Sequence, residues 1–522
     1  MATSDFQRGQ TYRTLDEQRE RLTPAEQRFE RRRRTIGLFL GPAALLVLLV
    51  IPMDIDRPQQ NLAAIMVFTI VYWLSEAIPI PVTAVVAMAL CVLLAVAPVD
   101  DVFAAFGDST LFVFIGAFII AEAMTSHGLD RRFAFRVLSI PGVSRSTYGV
   151  IIAFGAIGAG LSAFISNTAT AAMLLPIGLG MMGALSGLIT RETGESDPTR
   201  LRFGTCLMLM IAYGASVGGL ITPIGSPPNL IGIEFIEQQT DTTISFFEWT
   251  ITALPIVLVM FVALCVVLLL LNRPEIRHIP GAAEYVDEER RKLGPMTRGG
   301  RNTLLVFVLA VFFWILPGLI ALVFGDTSSI YTSVSERLDS GVVAVAAAAL
   351  LFVLPVDWGE RTFTLNWNQA VNIDWGTILL FGGGIVLGSL LSDTGLAKTL
   401  GQGLVDLLGV SSLVPITVVS VIIAVIISET TSNTASAAVV VPIVIPIALA
   451  AGVTPVIPAL AATFGASYGF MLPVSTPPNA IVYGSGLIPI TKMVRSGIVF
   501  DLIGIVLVVI GVSVMAQLIG LA

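Results

Sequence analysis

Two polar triplets lie where polar groups are costly. Ser166-Asn167-Thr168 falls inside "SAFISNTATAAMLLPI" (162–177), and Ser432-Asn433-Thr434 inside "SETTSNTASAAVVVPI" (428–443). Nine of the sixteen aligned positions are identical, and the copies are 266 residues apart. In hydrocarbon each unmet polar group costs several kcal/mol. A Ser or Asn before an Ala-rich run caps a helix by accepting from its free backbone N–H groups. That end carries partial positive charge, so each triplet would place an anion-receptive helix start at membrane depth. Ser162 and Ser428 sit one turn earlier. Their oxygens, with the Asn carbonyls and unwound backbone carbonyls, are hard ligands for a small cation such as Na+.

Two Pro-Pro pairs follow at a second fixed spacing. "TPIGSPPNLI" (222–231) answers "LPVSTPPNAI" (472–481), offset by 250. Pro227-Pro228 and Pro477-Pro478 break a spanning helix and free its carbonyls. Gly225, Ser226 and Asn229 flank the first break; Ser475, Thr476 and Asn479 flank the second. A break at membrane depth is tolerated where it is buried in protein or lines a cavity. One triplet alone could be polar glue between helices. Two, each followed by such a break, argue for one site built from both halves.

The elements that position these motifs are membrane helices. The chain has 522 residues, 55% hydrophobic and 12% charged, which excludes an ordinary soluble enzyme. Apolar runs of spanning length recur, as expected for a polytopic all-α membrane protein and not a β-barrel. Cys91, Cys206 and Cys265 are scattered in apolar runs and read as buried hydrophobes; His127 and His278 are the two histidines. No nucleophile–base pair, metal cluster or Gly-x-x-x-x-Gly-Lys loop occurs, so neither an enzyme nor an organic cofactor is expected. The net charge of −7 arises mostly from loops.

About eleven spanning helices are expected, near 36–53, 61–79, 82–98, 110–128, 203–233, 246–271, 302–324, 341–356, 376–392, 453–487 and 497–520. Regions 147–190 and 411–450 carry the triplets, as re-entrant hairpins or as pairs of full spans. With the N-terminus inside, 26 of the 29 basic residues fall on the cytoplasmic side; Arg57, Arg337 and Lys398 do not. The C-terminus then lies outside, and the start of the chain reads as no cleavable signal peptide. "RRRR" (31–34) reads as a membrane anchor, not a nucleic-acid patch. No Lys or Arg falls within an expected span. "STLFVFIGAFIIAEAMTSHGL" (109–129) also matches "GTILLFGGGIVLGSLLSDTGL" (376–396). Three paired blocks in one order mean duplication, and the parity of spans makes the repeats inverted. The expected plan is a charged cytoplasmic tail (1–35) and a first helix (36–60). Repeat 1 (61–271) holds hairpin 147–190 and broken helix 203–233. After a cytoplasmic linker (272–301), repeat 2 (302–522) holds hairpin 411–450 and broken helix 453–487.

These motifs resemble the divalent anion:sodium symporters of INDY type, over residues from about 36 to the end. The resemblance implies a homodimer in the inner membrane, with a scaffold domain and a transport domain that moves as an elevator. It implies Na+ cotransport with dicarboxylates such as succinate, malate or fumarate. One sodium site would use Ser162, Ser166, Asn167 and the Gly225 backbone. The other would use Ser428, Ser432, Asn433 and the Ser475 backbone. The substrate would meet Asn167, Thr168, Ser226 and Pro227 from one half, and Asn433, Thr434, Thr476 and Pro477 from the other. The family also includes sodium-independent exchangers and members that prefer citrate or sulfate. A cation/proton antiporter or arsenite-type permease is the alternative of another class, and would rely on carboxylates such as Glu429, Glu122, Glu76 or Asp374.

Overall fold

The computed structural model describes residues 24–521 except Arg145, 194–200, Asp241, 276–280, Asp326 and 409–411. Residues 1–23 of the expected tail, part of the 272–301 linker and the foot of the second hairpin at 411 lie outside the described residues. The first half runs α1 (Pro24–Val50), α2 (Arg57–Ser75), α3 (Ile80–Leu93), α4 (Val99–Ala104), α5 (Ser109–Ser126) and α6 (Leu129–Leu138). Hairpin α7 (Thr147–Ser162) and α8 (Asn167–Thr193) follows, then broken helix α9 (Arg202–Gly218) and α10 (Pro227–Gln239), then α11 (Phe246–Leu271). The linker contains a helix, α12 (Ala282–Lys292). The second half opens with α13 (Arg298–Phe324), α14 (Ser329–Arg337) and α15 (Ser340–Val353). A small antiparallel ribbon, β1 (Pro355–Asp357) and β2 (Thr362–Phe363), precedes α16 (Trp367–Ala370), α17 (Trp375–Asp393) and α18 (Leu396–Leu408). Hairpin α19 (Leu413–Thr430) and α20 (Asn433–Ala450), broken helix α21 (Val456–Ala466) and α22 (Pro477–Tyr483), and α23 (Ile490–Leu518) complete it.

Among the described residues, eight helices are long and apolar enough to cross a membrane, with six shorter apolar helices between them. Four of the short ones belong to the hairpins and breaks, and α3 and α15 are short helices outside them. Arm α7 has 16 residues and rises about 24 Å, less than the roughly 30 Å hydrocarbon core. Its partner α8 has 27 residues, and both arms of the second hairpin, at 18 residues each, are among the eight. Helix α1 starts at Pro24, well before the expected 36, and carries Arg31–Arg34 on its own turns. Large apolar side chains remain exposed on outer helices, as at Leu502, Val506, Ile510 and Val514 along one stripe of α23. Such a belt suits lipid.

The packing repeats the duplication. Helix α5 packs on α15, and its counterpart α17 packs on α3. Helix α9 lies on α7 as α21 lies on α19, and α22 crosses to α8 as α10 crosses to α20. Helices α11 and α23 meet each other. This reciprocity is that of a pseudo-twofold axis. Even the turns agree: Gly128 (φ 66°) ends α5 and Gly395 (φ 75°) follows α17, both in the left-handed region open to glycine.

Small residues let the crossing helices touch. A Cβ at Gly116 would stand 2.5 Å from the Ala344 backbone, and one at Gly383 would stand 2.7 Å from Ala84 Cβ. Gly116→Val and Gly383→Val should each lower the melting temperature of the detergent-purified protein, by overpacking of about 1–3 kcal/mol. Gly160→Ala, whose Cβ would meet Phe133 at an ordinary 3.6 Å, should leave it near wild type.

Candidate functional site

Both triplets form the helix starts expected of them. Ser166 Oγ accepts the Ala169 N–H at 3.2 Å, and Ser432 Oγ accepts the Ala435 N–H at 3.2 Å. Helices α8 and α20 therefore begin at Asn167 and Asn433. Ser162 Oγ donates to Asn167 Oδ1 at 2.5 Å, and Ser428 Oγ to Asn433 Oδ1 at 2.8 Å. One turn back, each buried serine holds the amide of its own triplet.

The first cluster is rich in acceptors. At the point where a Gly225 Cβ would stand, three carbonyl oxygens converge: Gly219 at 2.6 Å, Ser162 at 2.8 Å and Ala163 at 3.1 Å. A Cβ at Gly219 would overlap Asn167 Oδ1. Converging carbonyls repel one another unless a donor or a cation sits among them. The donor set fits a hard cation such as Na+.

The second cluster is related but not identical. Ser428 Oγ also lies 2.8 Å from the Ala466 carbonyl, and Asn433 Nδ2 donates to the Ser467 carbonyl at 3.4 Å. A Cβ at Gly469, the counterpart of Gly219, would stand 3.1 Å from Ser428 Oγ and 3.2 Å from Asn433 Oδ1. Where the first half has Gly225, this one has Ser475. Its hydroxyl lies 3.0 Å from the Glu429 carbonyl oxygen and 2.7 Å from Glu429 Oε2. Buried Glu429 Oε1 accepts the backbone N–H groups of Phe470 at 2.5 Å and Met471 at 2.8 Å.

The breaks are held by residues that the sequence marked only as flanking. Asn229 Nδ2 donates to the carbonyls of Gly219 at 2.7 Å and Thr222 at 2.8 Å. Asn479 Nδ2 does the same for Gly469 at 2.8 Å and Leu472 at 3.0 Å. Each asparagine staples its unwound loop across the gap. The shared offset of 250 was the signal that both would play one part. Thr476 Oγ caps α22 through the Asn479 N–H at 3.4 Å.

The expected substrate residues gather at these starts. Asn167, Thr168, Pro227, Asn433 and Pro477 are partly exposed, whereas Ser226, Thr434 and Thr476 are buried. Because α22 packs on α8 and α10 on α20, each hairpin adjoins the broken helix of the other half. Tyr213 of α9 ties them further by donating to the Phe470 carbonyl at 2.5 Å.

The four carboxylates weighed for an antiporter each have a partner, while Asp501 of α23 and Glu234 of α10 are further buried carboxylates. Asp374 caps α17 through the Thr377 N–H at 3.1 Å. Glu122 accepts from Ser126 Oγ at 3.0 Å, and Glu76 pairs with Arg34 at 3.3 Å. Glu429 anchors the second break. Filling the first cradle gives a direct test: Gly225→Ala should weaken the apparent affinity for Na+ about tenfold or more while the protein still folds. Gly384→Ala, whose Cβ would meet only Phe235 at 3.7 Å, should not change it. Sodium titration of tryptophan fluorescence or of uptake reads the difference.

Comparison with known proteins places this geometry. Residues 32–521 match the model of the sodium:sulfate symporter transmembrane region. The chain is 33% identical over 481 residues to the sodium-dependent dicarboxylate transporter SdcS of Staphylococcus saprophyticus, covering 91% of this chain and 90% of that protein. It is 32% identical to the Staphylococcus aureus protein of the same name over 478 residues, 91% of this chain and 89% of that one. The fold is similar to the Alcanivorax borkumensis YdaH transporter (TM-score 0.50, 13% identity, 89% and 99% of the two chains). It is also similar to Neisseria gonorrhoeae MtrF, described as an antimetabolite efflux pump (TM-score 0.52, 12% identity, 89% and 97%). With a family match over nearly the whole chain and paired motifs folded into paired clusters, this multi-pass membrane protein belongs to the sodium:sulfate symporter family of transporters.

Proposed function

We propose that the protein is a Na+-coupled symporter of C4-dicarboxylates such as succinate, malate and fumarate. The observation that carries this reading is the doubled cluster: an oxygen-lined cradle beside a capped helix start, once in each half. One sodium ion would be held by Ser162, Ser166, Asn167 and the Gly225 backbone. A second would be held by Ser428, Ser432, Asn433 and the Ser475 backbone. The two carboxylates would lie against Asn167 and Thr168 on one side and Asn433 and Thr434 on the other. Ser226, Pro227, Thr476 and Pro477 would complete the walls. The names of the SdcS relatives support both the ion and the substrate class.

The charge balance gives the mechanism its order. A dianion among amides and helix dipoles is poorly stabilised in a low dielectric. Sodium ions a few ångströms away cancel its charge at close range. Substrate affinity then rises with Na+, and by linkage Na+ affinity rises with substrate. The hairpins and broken helices would move together as the transport domain of an elevator, against a scaffold in a homodimer. The N-terminus lies in the cytoplasm and the C-terminus outside. Of the four carboxylates weighed for an antiporter, Glu429 anchors a loop, Asp374 caps a helix, Glu76 pairs with an arginine and Glu122 accepts from Ser126, which favours this reading.

Two measurements test the proposal. Proteoliposomes should accumulate labelled succinate under an inward Na+ gradient and not under choline chloride of equal ionic strength. Equal uptake in both salts, dependent on an internal anion, would move the protein to the sodium-independent exchangers. Asn167→Ala and Asn433→Ala should each abolish uptake at normal expression, because each amide serves a sodium ion and a carboxylate. A near-wild-type rate in either variant would contradict a site shared by the halves.

A further inference from the structure

The sequence places no basic side chain in a span, yet one reaches a hairpin tip. Arg33 Nη1 donates to the Thr430 carbonyl at 3.0 Å and to the Leu74 carbonyl at 3.2 Å. Thr430 is the last residue of α19, and only Thr431 and Ser432 separate it from Asn433. Leu74 is in the last turn of α2. One guanidinium thus satisfies terminal carbonyls of two helices from different parts of the fold, the end where a cation interacts best with the dipole.

The arginine is itself tightly held. Its Nη2 donates to Glu30 Oε2 at 2.7 Å, and Glu30 is buried at 5% exposure. Glu76 lies 3.5 Å from Arg33 and 3.3 Å from Arg34. It ends α2 at φ 47°, a left-handed conformation uncommon for a residue with a side chain. Helices α1 and α2 are in close contact below: a Cβ at Gly37 would overlap Ser75, and one at Gly41 would stand 2.5 Å from Tyr72. Arg33 therefore belongs rigidly to the α1–α2 pair, and Thr430 is its contact with the second hairpin. The first hairpin meets the counterpart of α2 differently. There Phe164 packs edge-on against Phe307 of α13, with ring centroids 4.9 Å apart.

We infer that Arg33 is a positioning residue for the second half of the site. It clamps the tip of hairpin α19–α20 to α1–α2 in this conformation, and the clamp must open for each transport cycle. The inference rests on the proposed transport function, in which hairpin and scaffold change their relative position. Charge-assisted bonds to carbonyls suit this task, since they are strong when aligned and are readily exchanged for water when broken.

Cysteine chemistry tests it, on a background in which Cys91, Cys206 and Cys265 are replaced by alanine. With the Thr431→Cys probe, buried here, Arg33→Gln should speed maleimide labelling about tenfold, the loss of one charge-assisted bond. Arg33→Lys should fall between Gln and wild type. The charge-neutral pair Glu30→Gln/Arg33→Gln should match Arg33→Gln, which separates the clamp from misfolding around an unpaired Glu30. Cross-linking Arg33→Cys to Thr430→Cys with a short bismaleimide should stop succinate uptake and leave Na+-dependent succinate binding intact. Unchanged labelling in Arg33→Gln, or a cross-linked protein that transports at the uncross-linked rate, would overturn the clamp. If wild type itself neither binds nor carries succinate, the functional reading fails, while the labelling rates still decide whether Arg33 holds the tip.

Discussion

Everything in this molecule depends on satisfying carbonyl and amide groups where a helix is interrupted inside a membrane. Water cannot do it at that depth, so side chains must. Asn229 and Asn479 are the central devices. Each bridges two carbonyls across a Pro-Pro break, Gly219 with Thr222 and Gly469 with Leu472. Without such a bridge the unwound turn would be unsatisfied, and the helix start beyond it would have no fixed direction. With it, the first turn is fixed where the Gly219, Ser162 and Ala163 carbonyls converge.

The two halves solve the same local problem with different chemistry. In the first half the Thr222 hydroxyl donates to the Ala163 carbonyl at the end of the hairpin arm. In the second half the matching positions are Leu472 and Glu429, so that donor is absent. Ser475 supplies it from the position of Gly225, and the Glu429 carboxylate reaches on to two backbone N–H groups. The first cradle is thus built of neutral carbonyls and an amide. The second has a carboxyl group just behind it. Symmetry of fold does not make the cradles equal in electrostatics.

Much of this was legible in the sequence, and for a physical reason. Polar residues in hydrocarbon need a purpose, so the repeated Ser-Asn-Thr and Pro-Pro-Asn blocks showed the helix starts, the breaks and the duplication. What the sequence did not show depends on partners far along the chain. The function of Asn229 follows from the shape of its loop, and that of Glu429 from two N–H groups about forty residues away. The helical extent of α1 was hidden because charged residues at a span end look like a tail. Arg33 could be assigned only once folding had brought residues 33 and 430 together. The linker helix α12 is polar and amphipathic on a scale that resembles an ordinary loop.

The crossing of α10 onto α20 and of α22 onto α8 bears on how the chain is made. Neither half is a finished unit. When the first half has been synthesised, its broken helix has a stapled turn but lacks the neighbour that buries it. It must wait in the bilayer until the second hairpin and then α21 emerge, with Gly232 facing the place that Thr463 of α21 will fill. Membrane insertion and assembly are therefore separate events, and the early intermediate exposes small residues and a kinked helix to lipid. A defect in the last third of the chain would be felt first as a failure of the earlier half to mature, with degradation in place of a partly working protein.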